Sequence, residues 1–229
     1  MCLFNRRSCI HADPLRDDLK ILDRIIGYIQ GTQNYKWIIQ KSKSDQLIAY
    51  VDSAFGTHDD RKSHTGKVIS IGLGGFPITV KSNKQKVVST SSCESELIGL
   101  HNLLDLLMWC REIMKFMGHP QNPTVIYVDA TSTIKQAHMG RPAQNTKRWI
   151  DIKYFWVTEL IKLGLVIVQH LDRANMIADP HASIRVGADF RRGRDALGIH
   201  DHPSEDHGKS KEKLKPIPEY IGNNKRQRT

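Results

Sequence analysis

The sequence predicts an α/β fold, and three observations lead to that prediction. Segments rich in β-forming residues follow one another across short turns between residues 47 and 81, which is typical of an antiparallel meander. A long apolar helical segment comes next, and its length favours a parallel arrangement of the strands on either side. Those strands, at residues 47–55 and 124–130, share a Tyr-Val-Asp pattern that ends in Asp52 and Asp129. We therefore expect the two strands to be neighbours and their acids to lie close together.

The first 46 residues are expected to form an appendage. Asp13 and Pro14 favour a helix start, and apolar residues then recur at helical spacing as far as Gly31. Residues 35–39 could form a short strand, and the polar run at residues 40–46 is typical of a connector. Since this segment is too short for a core of its own, we place the start of the main domain at residue 47.

The main domain is expected to begin with three strands and a helix. The strands are predicted at residues 47–55, 67–73 and 76–81, with polar turns between them, and a basic segment at residues 81–86 leads to the helix. Ser91 and Glu94 fit a capping box at the helix start, which gives Glu94 a structural role. At ~100° per residue Glu94 and Glu96 point in different directions, so we expect Glu96 to face the core and a cleft, and Glu94 to face solvent.

The remaining elements alternate between strand and helix. After the strand at residues 124–130 we expect a short helix at residues 132–138, a second helix at about 146–163 and a last strand at 165–168. Asp179 could cap a final helix with Pro180 at its first position. The main domain is placed at residues 47–190, and the polar, charged residues 191–229 are predicted to be a basic, disordered tail.

The amino-acid composition indicates which binding partners and which cellular compartment are expected. Lys and Arg total 34 against 24 Asp and Glu, and the net charge of +10 suits a polyanionic partner such as nucleic acid. The four cysteines form no C-x-x-C pair, which favours a reducing intracellular compartment. No run approaches the ~20 apolar residues of a membrane span, so no membrane partner is expected.

Four acids stand at strand centres or helix starts: Asp52, Glu96, Asp129 and Asp179. Clustered carboxylates repel one another and are tolerated when divalent cations lie among them, and hard oxygen ligands suit Mg²⁺. Two such ions ~3.5–4 Å apart can clamp the attacking and leaving oxygens of a phosphodiester. Asp179 is the least certain of the four, because helix capping alone would explain an acid at that position. The basic residues Arg61, Lys62, Lys81, Lys84 and Lys86 could contact phosphates or could be solvated surface.

The chain resembles the ribonuclease H domain at the C-terminal end of the Pol polyprotein of copia-type long-terminal-repeat retrotransposons. The resemblance extends from about Leu19 to Asp179. It rests on motifs in a fixed order: residues 19–32, Tyr50-Val-Asp52, 60–66, Ser82-Asn-Lys-Gln85, 88–96, Tyr127-Val-Asp129, Thr146-Lys147, 150–152 and Ala178-Asp179.

The resemblance implies a ribonuclease H-like fold in which a five-stranded mixed sheet, three antiparallel strands and then two parallel ones, is flanked by helices. It implies hydrolysis of the RNA strand of RNA–DNA hybrids during reverse transcription, with two Mg²⁺ ions, or Mn²⁺, held by Asp52, Glu96, Asp129 and Asp179. Residues 1–46 would be a remnant of the polymerase thumb or connection segment. The polymerase portion of the same polyprotein would be a partner, in a cytoplasmic particle or the nucleus.

One alternative to this prediction stays open, and a second is disfavoured by the order of the acids. After Asp179 the chain reads Pro-His-Ala-Ser-Ile-Arg-Val-Gly, which departs from the family's usual ending, so it could be a catalytically inactive nucleic-acid-binding fragment of a decayed polyprotein. An integrase-type nuclease shares the fold but requires three acids ending in a glutamate, and that order is missing here. Asp179 is therefore where the sequence-based hypothesis is weakest.

Overall fold

The computed structural model describes residues 16–39, 42–73, 75–139 and 148–201. Its helices are α1 (Arg16–Gly31), α2 (Ser92–Phe116), α3 (Thr131–Met139), α4 (Arg148–Lys162), α5 (Asp179–Ala182) and α6 (Gly187–Ala196), with a 3-10 turn at Arg173–Asn175. Its strands are β1 (Lys36–Trp37), β2 (Leu47–Ala54), β3 (His64–Ile71), β4 (Pro77–Lys84), β5 (Thr124–Val128), β6 (Val166–His170) and β7 (Ile199–His200). No helix within these ranges is both long and apolar enough to cross a membrane.

The main sheet has five strands in the order β4-β3-β2-β5-β6. The pairs β2/β3 and β3/β4 are antiparallel, whereas β2/β5 and β5/β6 are parallel. Tyr50 of β2 lies beside Tyr127 of β5, with ring centroids 5.3 Å apart. The predicted mixed sheet, and the predicted parallel pairing of the two Tyr-Val-Asp strands, are confirmed.

The two faces of the sheet carry separate hydrophobic clusters, because side chains alternate along each strand. The larger cluster joins the sheet to α2, α3 and α4 and includes Val51, Leu100, Leu104, Ile126 and Val157. The smaller one lies on the opposite face, beneath residues 171–182, and includes Tyr50, Val68, Tyr127, Met176 and Ala178. Asp52 and Asp129 share the strand alternation of the smaller cluster, which places both acids at the edge of that face.

Two glycines allow helices to lie directly on the sheet. A Cβ on Gly99 of α2 would come within 2.5 Å of Ser53 Oγ, and a Cβ on Gly66 of β3 would come within 2.3 Å of the carbonyl oxygen of Ala178. Each glycine is adjacent to a predicted metal ligand, since Gly99 is one turn after Glu96 and Gly66 is paired with Asp52. These close approaches fix how far Glu96 and Asp179 stand from the strands.

The N-terminal segment packs against residues 187–200. Strands β1 and β7 form a two-stranded antiparallel sheet, and Trp37 Nε1 donates a hydrogen bond to the Leu197 carbonyl at 2.9 Å. Tyr28 of α1 makes an edge-to-face contact with Phe190 of α6. The prediction of disorder is therefore wrong for the start of the tail, because α6 and β7 are ordered by these aromatic and backbone contacts. Residues 202–229 and the proposed helix start at Asp13 lie outside the described residues, and the domain boundaries stay a prediction.

Candidate metal centre

Three of the four predicted acids converge. Asp52 lies on β2, Glu96 in the first turns of α2, and Asp129 directly after β5. One carboxylate oxygen from each lies within 4.8 Å of the other two. Ligand oxygens at 2.0–2.6 Å from a shared Mg²⁺ or Ca²⁺ lie at most about 5 Å apart, so this separation is compatible with a common cation.

The parallel pairing of β2 and β5 explains why Asp52 and Asp129 meet. Their Tyr-Val-Asp patterns are aligned so that Tyr50 pairs with Tyr127, and the residues two positions further point the same way. Both acids therefore project from the same end of neighbouring strands, where ligands of α/β sheets commonly bind.

Glu96 extends towards Asp52 and Asp129 from α2, which packs on the opposite face of the sheet from these two acids. Its Oε1 accepts a hydrogen bond of 2.9 Å from the backbone N–H of Ser53, the residue next to Asp52. Its Oε2 is buried and has no hydrogen-bond partner among the described residues. A buried oxygen without a donor is energetically costly, and a cation would satisfy it. The residues present therefore fit a divalent cation.

Burial and the charges of neighbouring acids raise the pKa of Asp52 and of Glu96. Burial, with smaller effects from the charges of Asp129 and Asp179, raises the pKa of Asp52 to about 7. Burial and the charges of Asp52 and Asp129 raise the pKa of Glu96 to about 9. In the absence of a cation the cluster therefore resists full ionisation at neutral pH.

The raised pKa values predict a pH dependence of stability in the presence of EDTA. The ordinary values are 3.8 for Asp52 and 4.5 for Glu96, so the folded state holds protons that the unfolded state releases. The free energy of unfolding should therefore fall as the pH rises from about 4 towards 9. Melting temperatures between pH 5 and 9 measure this slope, which should be smaller in Asp52→Asn. If the slope were equal in both proteins, the pH dependence could not be attributed to the raised pKa of Asp52.

Asp179 is close to the cluster but is held by two arginines. Its Oδ1 accepts hydrogen bonds from Arg173 Nε at 3.0 Å and from an Arg185 terminal nitrogen at 2.5 Å, and its Oδ2 accepts one from Arg185 Nε at 2.7 Å. It is the first residue of α5, whose N-cap is Ala178, and the side-chain hydrogen bonds found for Asp179 among the described residues all come from arginines, contrary to the capping alternative. Asp179 does not belong to the group of three converging acids, and its role as a fourth ligand stays a prediction.

Glu94 corrects one expectation from the sequence. Ser91 Oγ accepts a hydrogen bond from Glu94 N, as the capping box predicts, but the Glu94 side chain accepts from the backbone N–H and hydroxyl of Thr90. Glu94 is only 4% exposed, so the prediction that it faces solvent is wrong. The loop before α2 covers this side of the helix start, which helical periodicity alone does not report.

The predicted nucleic-acid-binding residues lie on β4 and on the turns that flank β3 and β4. Arg61, Lys81 and Lys86 are exposed. Lys62 and Lys84 both pair with Asp60, at 3.3 and 2.9 Å, so part of their charge is compensated within the protein. Their role in phosphate binding stays a prediction.

The two arginines that bind Asp179 were missed by sequence reasoning. Arg173 belongs to the 3-10 turn before α5 and Arg185 to the segment after it. Each is six residues from Asp179, a spacing that no regular element brings together. The basic residues that flank Ala178-Asp179 in the sequence were the available signal.

Comparison with known proteins supports the family resemblance. The chain is 29% identical over 178 residues to the retrovirus-related Pol polyprotein from transposon RE1 of Arabidopsis thaliana, an alignment that covers 76% of this chain and 12% of that protein. It is 24% identical over 192 residues to the corresponding polyprotein from transposon TNT 1-94 of Nicotiana tabacum, covering 83% of this chain and 14% of that protein. The chain thus spans a small part of the relatives' length. No family model matches.

Among solved structures, the chain resembles LC11-RNase H1 in complex with an RNA/DNA hybrid. The TM-score is 0.44 and the identity 16%, with 59% of this chain and 92% of that chain covered. The sequence relatives confirm the predicted resemblance to retrotransposon Pol polyproteins. The sheet itself has the predicted arrangement of three antiparallel strands followed by two parallel ones.

Proposed function

We propose that this chain is a metal-dependent endonuclease that hydrolyses the RNA strand of RNA–DNA hybrids, as part of a retrotransposon Pol polyprotein. The observation that carries the proposal is the convergence of Asp52, Glu96 and Asp129 within 4.8 Å, with one buried oxygen of Glu96 that finds no donor among the described residues. The relatives, which are Pol polyproteins, support the biological setting. The polymerase portion of such a polyprotein would be the physical partner, in a cytoplasmic particle or the nucleus.

In this proposal Asp52, Glu96 and Asp129 hold the cation, with two Mg²⁺ or Mn²⁺ ions expected. The bound ions would activate water and stabilise the charge that develops on the phosphodiester. The Ser53 N–H fixes the orientation of Glu96, and the β2/β5 pairing fixes the two aspartates. Because Asp52 and Glu96 are only 6% and 5% exposed, they act in a medium where charge interactions are strong.

The excess of basic residues supports a polyanionic substrate. The net charge of +10 favours association with nucleic acid, and the exposed Arg61, Lys81 and Lys86 are available to phosphates. Such contacts carry no sequence information, and they are suited to a nuclease that accepts many sequences.

The test is an assay of the full chain with an RNA–DNA hybrid labelled on the RNA strand. We expect RNA fragments in Mg²⁺ or Mn²⁺, none in EDTA, and no cleavage of the matching DNA duplex. The RNA strand should be cut internally, because the reaction is endonucleolytic. Intact RNA with both metals, from protein shown to be folded by circular dichroism, would contradict the proposal.

A noncatalytic role in nucleic-acid binding is the second candidate. It is favoured by the two arginines on Asp179, which occupy the oxygens that a fourth ligand would need. This candidate predicts that the hybrid binds with an affinity that metal does not change, and that no RNA is cut. Binding measured by fluorescence anisotropy, with and without Mg²⁺, separates the two.

A further inference from the structure

The contacts of Asp179 differ from those of the three converging acids. Asp52, Glu96 and Asp129 present oxygens to one another, whereas both oxygens of Asp179 accept hydrogen bonds from guanidinium groups. Arg185 makes the two-pronged contact, with one nitrogen on each oxygen. A carboxylate bound in this way by arginine is strongly and specifically paired.

Asp179 nevertheless lies within electrostatic range of the cluster. Its charge contributes to the raised pKa of Asp52, and the charge of Arg173 acts on Asp52 in the opposite direction. The Asp179 side chain is 12% exposed and that of Arg185 is 24% exposed, so their attraction is only partly screened. The arginines thus place positive charge beside the cluster while they occupy its fourth candidate ligand.

We propose that Arg185, assisted by Arg173, is a positioning residue that holds Asp179 away from the three-acid cluster. Asp179 is released when phosphate groups of a nucleic acid compete for the guanidinium groups of the two arginines. The inference rests on the proposed function, because it concerns the same metal centre. Phosphate is a suitable competitor, since the planar guanidinium fork matches phosphate as well as carboxylate. Arg173, whose side chain is 65% exposed, is accessible to such a group.

Release would couple binding of nucleic acid to assembly of the metal centre. Loss of the arginine contacts would leave Asp179 as a nearly buried, unpaired carboxylate, which is unfavourable unless another positive charge replaces the guanidinium groups. A divalent ion bound by the three neighbouring acids would provide that positive charge. Substrate and metal would therefore each strengthen the binding of the other.

The experiment measures the affinity for Mn²⁺ by isothermal titration calorimetry, in the absence of nucleic acid. The Arg173→Ala/Arg185→Ala protein should bind Mn²⁺ about 10-fold more tightly than the wild type, the size of effect typical for groups that orient metal ligands. Adding Asp179→Asn to that protein should remove the gain, whereas Asp179→Asn alone should change the wild-type affinity little. Arg185→Lys, which keeps the charge but loses the two-pronged contact, should give an intermediate affinity and guards against a folding defect in the double variant.

A second set of titrations adds a duplex of DNA and 2′-O-methyl RNA, which supplies phosphates but no cleavable RNA linkage. The wild type should then reach the Mn²⁺ affinity of the double variant, whose own affinity should change less. Equal Mn²⁺ affinities of the wild type, Arg185→Lys and the double variant would overturn the inference, as would a gain that survives Asp179→Asn. The proposed metal centre is tested separately by Asp52→Asn. If this variant bound Mn²⁺ as tightly as the wild type, the metal centre itself would be wrong, whatever the role of the arginines.

Discussion

Glu96→Gln is expected to reduce hydrolysis of the hybrid by about 10³-fold or more, while the protein stays folded. The proposed cation stabilises transition-state charge by several kcal/mol, and each 1.36 kcal/mol is a factor of ten in rate. Glu96 supplies a buried oxygen that has no donor in the part of the chain that the structure describes, so its replacement by an amide removes a negatively charged ligand and directs an NH₂ group or a neutral oxygen at the cation. The rate of RNA cleavage in Mg²⁺ and in Mn²⁺ measures the effect.

The fold should tolerate this change because glutamine resembles the protonated acid. Burial and the neighbouring acids raise the pKa of Glu96 to about 9, so without metal the side chain is already mostly neutral at pH 7. The glutamine oxygen can still accept the hydrogen bond from Ser53 N that Glu96 accepts at 2.9 Å. The melting temperature in EDTA should therefore equal or exceed that of the wild type.

Glu94→Gln is the matched control, two residues earlier on the same helix. Its side chain is as buried as that of Glu96, but it accepts hydrogen bonds from Thr90 and takes no part in the converging group. Gln can accept the same bonds, so we expect nearly unchanged cleavage and a stability loss of at most about 1 kcal/mol. Equal loss of activity in both variants would mean that the helix start, rather than the metal centre, controls the reaction.

The pairing of Asp52 with Asp129 could be predicted from the sequence because it depends on local patterns and one general rule. Both acids follow Tyr-Val on a strand, and the helix between the strands is long enough for a parallel crossover. Glu96 followed from helical periodicity, since it shares its stripe with buried leucines such as Leu100 and Leu103. The periodicities of strands (two residues) and of helices (3.6 residues) were therefore sufficient to predict most of the candidate site.

The features that were missed depend on contacts that the periodicity of strands and helices does not report. Glu94 is buried by the loop that precedes α2, and Arg185 meets Asp179 across a six-residue spacing that no regular element brings together. The pairing of β1 with β7 joins residues more than 160 positions apart, and polar composition concealed it. Such contacts are decided by tertiary packing, which can override local propensity.

Gly66→Ala is expected to destabilise the protein by about 3 kcal/mol, the upper part of the usual range for overpacking a core. The added Cβ would stand 2.3 Å from the carbonyl oxygen of Ala178 and 2.6 Å from the backbone nitrogen of Ala182. Both atoms belong to backbone at α5, so relief requires movement of that helix or of β3. At 2–4 °C per kcal/mol for a chain of this size, the melting temperature should fall by about 10 °C.

The same substitution should also loosen the arginine-bound aspartate, because α5 carries Asp179 and Gly66 is paired with Asp52 across the β2/β3 ladder. Gly27→Ala is the matched control: among the described residues, a Cβ at Gly27 would meet no atom within 4 Å beyond the backbone of its own helix α1, and alanine favours the helix by up to about 1 kcal/mol. Melting curves of the two variants in EDTA measure the contrast. If Gly66→Ala had the same melting temperature as the wild type, α5 could shift without a loss of stability. The close approach of α5 to β3 would then no longer explain the position of Asp179.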